Sequence, residues 1–154
     1  MQNNSEMFSR LQYLAKMITP EDIQEFEETI WTLSEQQNQI ALDQLIQLFD
    51  EECNFREVMF SLVHAIESYP DEIYVRGILR NIRFLVQRPS WAKTLMYGIL
   101  NNPSSLKIFK TDISGGDIVS LLLLLDMIYK ESPHHRELIE ELKKELGSQD
   151  PKPQ

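Results

Sequence analysis

Apolar residues recur at intervals of three and four positions along most of the chain, the spacing that an α-helix gathers onto one face. The two clearest stripes consist of Ile78, Ile82 and Leu85 and, beyond a proline, of Trp91, Leu95 and Ile99. No segment shows the sustained alternation of apolar and polar residues that is typical of a β-strand. The pattern therefore predicts an all-α fold.

Helix start signals divide the chain into about eight or nine helices. The strongest signal is TPED at residues 19–22, because threonine accepts a backbone hydrogen bond, proline fits the first turn, and carboxylates favour the positive end of the helix dipole. Pairs of helices roughly thirty residues long begin at Ser34, Asp71 and Asn102, a length typical of stacked hairpins. We predict antiparallel helical hairpins stacked as a short HEAT-like α-solenoid, with an irregular bundle as the alternative.

Several local features predict details of these helices. Ser5 is expected to cap the first helix, and capping-box spacing indicates helices that begin at Ser34 and Asn54. Five consecutive leucines at 121–125 make one helix apolar on all sides, so we expect it in the middle of the core. Gly147 is expected to end the last helix in a left-handed conformation. We therefore predict a single all-helical domain over residues 1–147 and a disordered tail at 148–154.

Acidic side chains outnumber basic ones by 24 to 15 in the 154 residues, a net charge of −9. The charge is uneven: residues 1–69 carry −10, residues 70–113 carry +4, and the remainder carries −3. Because phosphate recognition depends on cationic side chains, this chain is a poor candidate for general nucleic-acid binding, and a basic partner is favoured. A row formed by Arg76, Arg80 and Arg83 is expected to make salt bridges to neighbouring helices.

Carboxylates of the N-terminal half are predicted to line one edge of the molecule. If consecutive helices run up and down with short connections, the helix end near Asp50 and the helix starts near Pro20 and Asn54 lie on the same side. The predicted acidic edge contains Glu21, Asp22, Glu25, Asp50, Glu51, Glu52 and Glu57. Asp71, Glu72 and Tyr74 are further candidates for contact with a partner.

The carboxylates of the acidic edge could serve partner binding or only helix stability. The run Asp50–Glu52 is expected to end a helix, where the backbone dipole disfavours carboxylates, so local stability does not account for it. Glu21, Asp22 and Glu57, in contrast, are each in a first turn, where a carboxylate stabilises the helix by itself. The sequence leaves both interpretations open for these three residues.

Signals of catalysis, metal binding and membrane insertion are missing from the sequence. It has no phosphate-binding glycine loop, no nucleophile elbow and no paired-cysteine metal spacing. Adjacent residues such as His134 and His135 point about a hundred degrees apart on a helix, so we expect a structural role for them. The first residues do not resemble a signal peptide, and the longest apolar run contains Asp126. We expect a cytoplasmic protein without enzymatic activity, metal or cofactor.

The segment RPSWAKTLMYGILNNPSSLKIF, preceded by YPDEIYVRGILRNI, resembles the immunity protein 30 family of bacterial polymorphic-toxin and contact-dependent growth inhibition systems. The resemblance covers about residues 35–130 and rests on the tryptophan helix followed by ILNNP at 99–103. It implies a small all-helical protein that binds and neutralises a cognate toxin domain, often a nuclease. No individual binding residue is implied, because the resembling segment has no contact motif.

Three functions are compatible with these observations. An immunity protein that occludes the active site or substrate cleft of a basic toxin agrees with both the acidic charge and the resemblance. An α-solenoid adaptor that binds a protein or peptide in a larger complex is the principal alternative. An RNA-binding helical protein that uses the arginine row is the least favoured.

Overall fold

The computed structural model describes residues 3–149 and shows only helical regular structure within them. These residues form ten α-helices and two short 3-10 turns, which confirms the all-α prediction. The chain divides into two compact units, residues 1–77 and residues 78–154. None of the helices in the described range is long and apolar enough to cross a membrane.

Unit 1 contains four complete helices and most of a fifth, which crosses the boundary between the units after Gly77. The helices are α1 (Asn4–Leu14), α2 (Pro20–Ser34), α3 (Gln39–Ile46), α4 (Arg56–Glu67) and α5 (Asp71–Arg80). The main packing contacts are α1 with α2, α2 with α3, α2 with α4, and α3 with α4. The buried side chains of this core include Leu11, Phe26, Ile30, Leu45, Met59 and Leu62.

A close approach at Gly77 joins α5 to α3 within unit 1. A Cβ atom at position 77 would lie 2.5 Å from Leu42 Cδ2 and 3.1 Å from Leu42 Cγ. Such distances are shorter than van der Waals contact, so a side chain at position 77 would force the Leu42 side chain to move, whereas glycine leaves it in place.

Unit 2 contains the remaining helices, α6 (Ile82–Leu85), α7 (Pro89–Leu100), α8 (Pro103–Asp112), α9 (Ile118–Glu131) and α10 (Arg136–Gln149). Packing contacts join α7 to α6, α8 and α9, and α9 to α10. Trp91 and Phe109 are fully buried in this unit. The sequence pattern predicted one continuous helix, but the structure separates α5 from α6 at Asn81. The apolar stripe of Ile78, Ile82 and Leu85 is nevertheless buried on both sides of this break.

The buried side chain of His135 connects the end of α7 with the segment between α9 and α10 in unit 2. His135 is only 9% exposed, and its Nε2 atom lies 2.7 Å from Asn101 Oδ1 while Nδ1 lies 2.7 Å from Ser132 Oγ. Because the amide oxygen of Asn101 can only accept, the Nε2 atom donates and Nδ1 accepts from the serine hydroxyl. Burial lowers the pKa of His135, and the neighbouring His134 lowers it further.

Several predicted helix starts are shifted in the structure. Ser34 is the last residue of α2, where it is 3% exposed, and Asn38 caps α3 instead by accepting from Ala41 N at 2.9 Å. Ser34 follows buried Leu33 in the α2 stripe, so packing keeps it helical despite its capping-box spacing. The N-cap of α4 is Phe55 without a side-chain hydrogen bond, so the cap predicted at Asn54 is wrong.

Other local predictions are also corrected. Asn3, not Ser5, caps α1 by accepting from Glu6 N at 2.8 Å. The leucine-rich helix α9 is not buried on all sides, because Val119 and Leu123 are 67% and 51% exposed. Gly147 has no positive φ and lies inside α10, which continues to Gln149, so the first two residues of the predicted tail are helical. The rest of that tail, residues 150–154, lies outside the described residues.

Candidate functional site

Two connections of unit 1 meet at one end of it. The α1–α2 connection (residues 15–19) and the α3–α4 connection (residues 47–55) touch through Met17 Sδ and Cys53 Sγ, which are 3.8 Å apart. A small cavity of about 140 Å³ lies between the connections, and its lining includes Lys16, Asp50 and Glu52. The starts of α2 and α4 directly follow these connections. This end of unit 1 therefore carries most of the residues that the sequence analysis assigned to the acidic edge.

At the start of α2, the predicted capping box is present. Asp22 N donates to Thr19 Oγ1 at 3.1 Å, and Thr19 N donates to Asp22 Oδ2 at 3.2 Å. Asp22 therefore stabilises the helix start, as the alternative interpretation anticipated. Glu21 lies in the same exposed first turn.

Glu25 has a partner of its own on α1. Arg10 donates from Nε to Glu25 Oε2 at 2.5 Å and from Nη2 to Glu25 Oε1 at 2.8 Å, a bidentate pair. This hydrogen-bonded pairing lowers the pKa of Glu25 and raises the pKa of Arg10. The charge of Glu25 is neutralised within unit 1, so Glu25 contributes less than its neighbours to the field that a partner experiences.

The run Asp50–Glu52 lies in a connection and does not end a helix, contrary to the sequence prediction. Helix α3 ends at Ile46, and Asp50 Oδ1 accepts from Glu52 N at 3.0 Å to form a local turn. The dipole of α3 does not disfavour these carboxylates, because the helix ends several residues earlier. Glu52 is exposed and Glu51 partly exposed.

The further contact candidates Asp71, Glu72 and Tyr74 lie at the opposite end of unit 1. The α4–α5 connection packs against the α2–α3 connection, with Tyr69 Oη donating to Gln36 O at 3.0 Å. Asp71 and Glu72 begin α5 there, so the twelve residues of α4, about 18 Å of helix, separate them from the acidic edge. Tyr74 is only 4% exposed, and burial raises the pKa of its hydroxyl, so we leave it out of the contact surface.

Sequence reasoning missed the exposed apolar side chains near the acidic edge. Ile18 is 68% exposed, Phe55 is 39% exposed and lines the small cavity, and Phe60 is 43% exposed on α4. One signal for Phe60 was present, because this residue falls outside the apolar stripe of its helix. Exposed aromatic residues beside charged ones are typical of protein interfaces.

The two units differ strongly in charge. Residues 1–77 carry 15 acidic and four basic side chains, a net charge of −11, whereas residues 78–154 carry nine acidic and eleven basic ones, a net charge of +2. The negative charge of unit 1 is suited to attract a cationic macromolecule.

Among residues 3–149 no three or more His, Cys, Asp and Glu side chains are grouped closely enough to hold a metal ion.

Comparison with known proteins assigns the chain to a family. Searches among curated proteins and among solved structures found no match. The sequence pattern of the family described as Immunity protein 30 matches residues 13–109, which is more than half of the chain. This range begins further toward the N-terminus than the resemblance seen in the sequence and includes the whole acidic edge. The chain belongs to the immunity protein 30 family.

Proposed function

We propose that this immunity protein neutralises a basic nuclease toxin of a polymorphic-toxin or contact-dependent growth inhibition system by covering its substrate cleft with the acidic end of unit 1. Membership of the family implies a toxin as the partner. The observation that carries the proposal is the net charge of −11 in unit 1, with Asp50 and Glu52 beside the starts of two helices. The protein would act in the cytoplasm, where the nucleic-acid substrate is found.

Electrostatics supports a nuclease as the target class. A nuclease binds polyanionic substrate in a cationic cleft, and an acidic partner is both steered to such a cleft and complementary to it. Two carboxylates of the acidic edge are held in place before binding, because Asp50 accepts from Glu52 N and Asp22 accepts from Thr19 N, which reduces the entropy lost on association. The partner-contact residues that we retain are Glu21, Asp22, Asp50, Glu51, Glu52 and Glu57, with Glu25 as a lesser contributor because Arg10 pairs with it.

Co-expression tests the biological role. The gene directly upstream of this one is cloned, and its C-terminal domain is expressed from an inducible promoter, with and without the immunity protein, while growth is measured. We expect rescue by the cognate immunity protein. A purified, catalytically inactive toxin domain is then saturated with fluorescent nucleic acid, and the immunity protein should displace the nucleic acid stoichiometrically. Tight binding without displacement would rule out occlusion of the cleft.

A matched pair of charge reversals tests the surface. Glu51→Lys with Glu52→Lys changes the charge at the acidic edge, and Asp71→Lys with Glu72→Lys makes the same change at the other end of unit 1. We expect the first double variant to slow association with the toxin at least about tenfold at low salt and to reduce its salt dependence, because steering depends on local charge. An equal effect of both double variants would show that net charge alone matters and would remove the acidic edge from the proposal.

A further inference from the structure

A depression runs along the exposed side of the first turns of α4, next to the acidic edge. Its volume is about 690 Å³, and it is lined by Asn54, Arg56, Glu57, Phe60, Ser61 and His64. All of these residues lie within unit 1 and within the range matched by the family. The volume falls within the range of ligand-binding clefts and exceeds what one small ion would need.

An aromatic ring and a carboxylate line this depression together. Phe60 is 43% exposed, and Glu57 precedes it by three residues, so both side chains lie on the same side of α4. A second carboxylate, Glu27 of α2, is bonded to the lining residue Ser61, whose Oγ donates to Glu27 Oε2 at 2.6 Å. This hydrogen bond fixes the position of the Glu27 carboxylate next to α4, from which it is distant in the sequence.

We propose that the depression receives an arginine side chain of the toxin, which stacks on Phe60 and pairs with Glu57 and Glu27. The inference rests on the proposed function, since it assigns the chemistry of the partner group at that surface. A guanidinium group is flat and weakly hydrated, stacks on aromatic faces, and offers a fork of donors that matches a carboxylate. Aromatic and arginine residues are also the commonest energetic centres of protein interfaces.

Other occupants fit less well. A phosphate or a carboxylate would meet Glu57 and the nearby Glu27, and Arg56 is the single Lys or Arg among the residues that line the depression, so the local balance is negative. A purely apolar side chain would desolvate both carboxylates without replacing their hydrogen bonds, which is unfavourable. A lysine could pair with one carboxylate but lacks the planar group that stacks on a ring.

Variants of the immunity protein separate these possibilities in a binding assay with the inactive toxin domain. We expect Phe60→Leu to weaken binding at least about tenfold and Phe60→Trp to retain it, because the ring and not the apolar volume carries the contact. Glu57→Gln should also weaken binding at least about tenfold. Arg56→Gln should tighten binding, because it removes a like charge from the site.

Controls distinguish failure of this inference from failure of the proposed function. Glu35→Gln and Ile40→Ala alter an exposed carboxylate and an exposed apolar residue elsewhere in unit 1 and should leave affinity unchanged. Circular dichroism verifies that each variant is folded. If the unmodified protein binds and protects but Phe60→Leu and Glu57→Gln bind equally well, the arginine site is wrong while the proposed function remains. If Arg56→Gln weakens binding and Glu57→Gln strengthens it, the depression holds an anionic group and the inference is overturned.

Substitution of individual toxin arginines identifies the one that occupies the depression. Each exposed arginine of the toxin domain is replaced by lysine, and its affinity is measured against the unmodified protein and against Phe60→Leu. The arginine that occupies the depression should lose at least about tenfold affinity for the unmodified protein and show little further loss with Phe60→Leu, because the two changes remove the same contact. Additive losses at every arginine would overturn the assignment.

Discussion

Replacement of Gly77 by alanine should change the stability of the protein in opposite directions depending on the residue at position 42. In the native sequence the added Cβ would lie 2.5 Å from Leu42 Cδ2 and 3.1 Å from Leu42 Cγ. It would also lie 3.5 Å from Ile46 Cδ1. Leu42 and Ile46 are both 0% exposed, so neither side chain can move into solvent to relieve the contact. The new methyl group must therefore displace packed atoms.

The magnitude follows from two opposing effects. Alanine is about 1 kcal/mol more favourable than glycine inside a helix. Overpacking of a core typically costs about 1–3 kcal/mol. With the Cβ at 2.5 Å we expect the packing penalty to exceed the helix gain, so that Gly77→Ala lowers the free energy of unfolding by about 1 kcal/mol.

The same change should be stabilising after Leu42→Ala. That substitution removes the Cγ and Cδ2 atoms that the new methyl group would meet, although it costs about 2–5 kcal/mol by itself. In this background Gly77→Ala retains its helix gain of about 1 kcal/mol and fills part of the cavity. The coupling free energy between the two positions should thus be about 2 kcal/mol.

Urea denaturation of the four proteins, followed by far-UV circular dichroism, measures this coupling. The unfolding curves are first checked for a single transition, because the chain contains two compact units. A Gly77→Ala substitution that raises stability by the same amount with leucine and with alanine at position 42 would refute the close approach of α5 and α3.

Two further predictions concern single contacts. Thr19→Ala should lower the free energy of unfolding by about 1 kcal/mol, because it removes the side-chain acceptor of the α2 capping box, whereas Thr19→Ser should retain most of the stability in the same urea titration. Burial lowers the pKa of His135 below its ordinary value, so the folded state resists protonation of this residue. The free energy of unfolding should therefore be fully present above about pH 6.5 and decline as the pH falls below it. His135→Gln should reduce that decline in thermal unfolding measured between about pH 7 and 5, and an unchanged slope would contradict the assignment of this histidine.

Features encoded by neighbouring residues were predictable from the sequence. The helical stripes and the TPED start of α2 depend only on spacing within one turn or a few turns, and the structure confirms both. The meeting of the α1–α2 and α3–α4 connections could be anticipated because short connections force successive helices to reverse direction. The exposed face of α9, in contrast, was not predictable, because a run of leucines carries no period that distinguishes its sides.

Features decided by tertiary packing escaped the sequence analysis. Ser34 has the local signal of a helix start, but burial in α2 overrides it. The hydrogen bond between Glu27 and Ser61 joins residues 34 positions apart and is decided by the way α2 packs on α4. No spacing rule within either helix could have brought the Glu27 carboxylate to this lining residue of the depression.

The two tryptophans of the chain are divided between the units and differ in environment. Trp31 on α2 is 43% exposed, whereas Trp91 on α7 is fully buried. A water-exposed indole emits at longer wavelength than a buried one, so the unmodified protein contains two fluorophores of different colour, one in each half. Loss of the short-wavelength emission on denaturation reports on unit 2, and loss of the native long-wavelength emission reports on unit 1. The unfolding of the two units can therefore be followed in one sample without any attached dye.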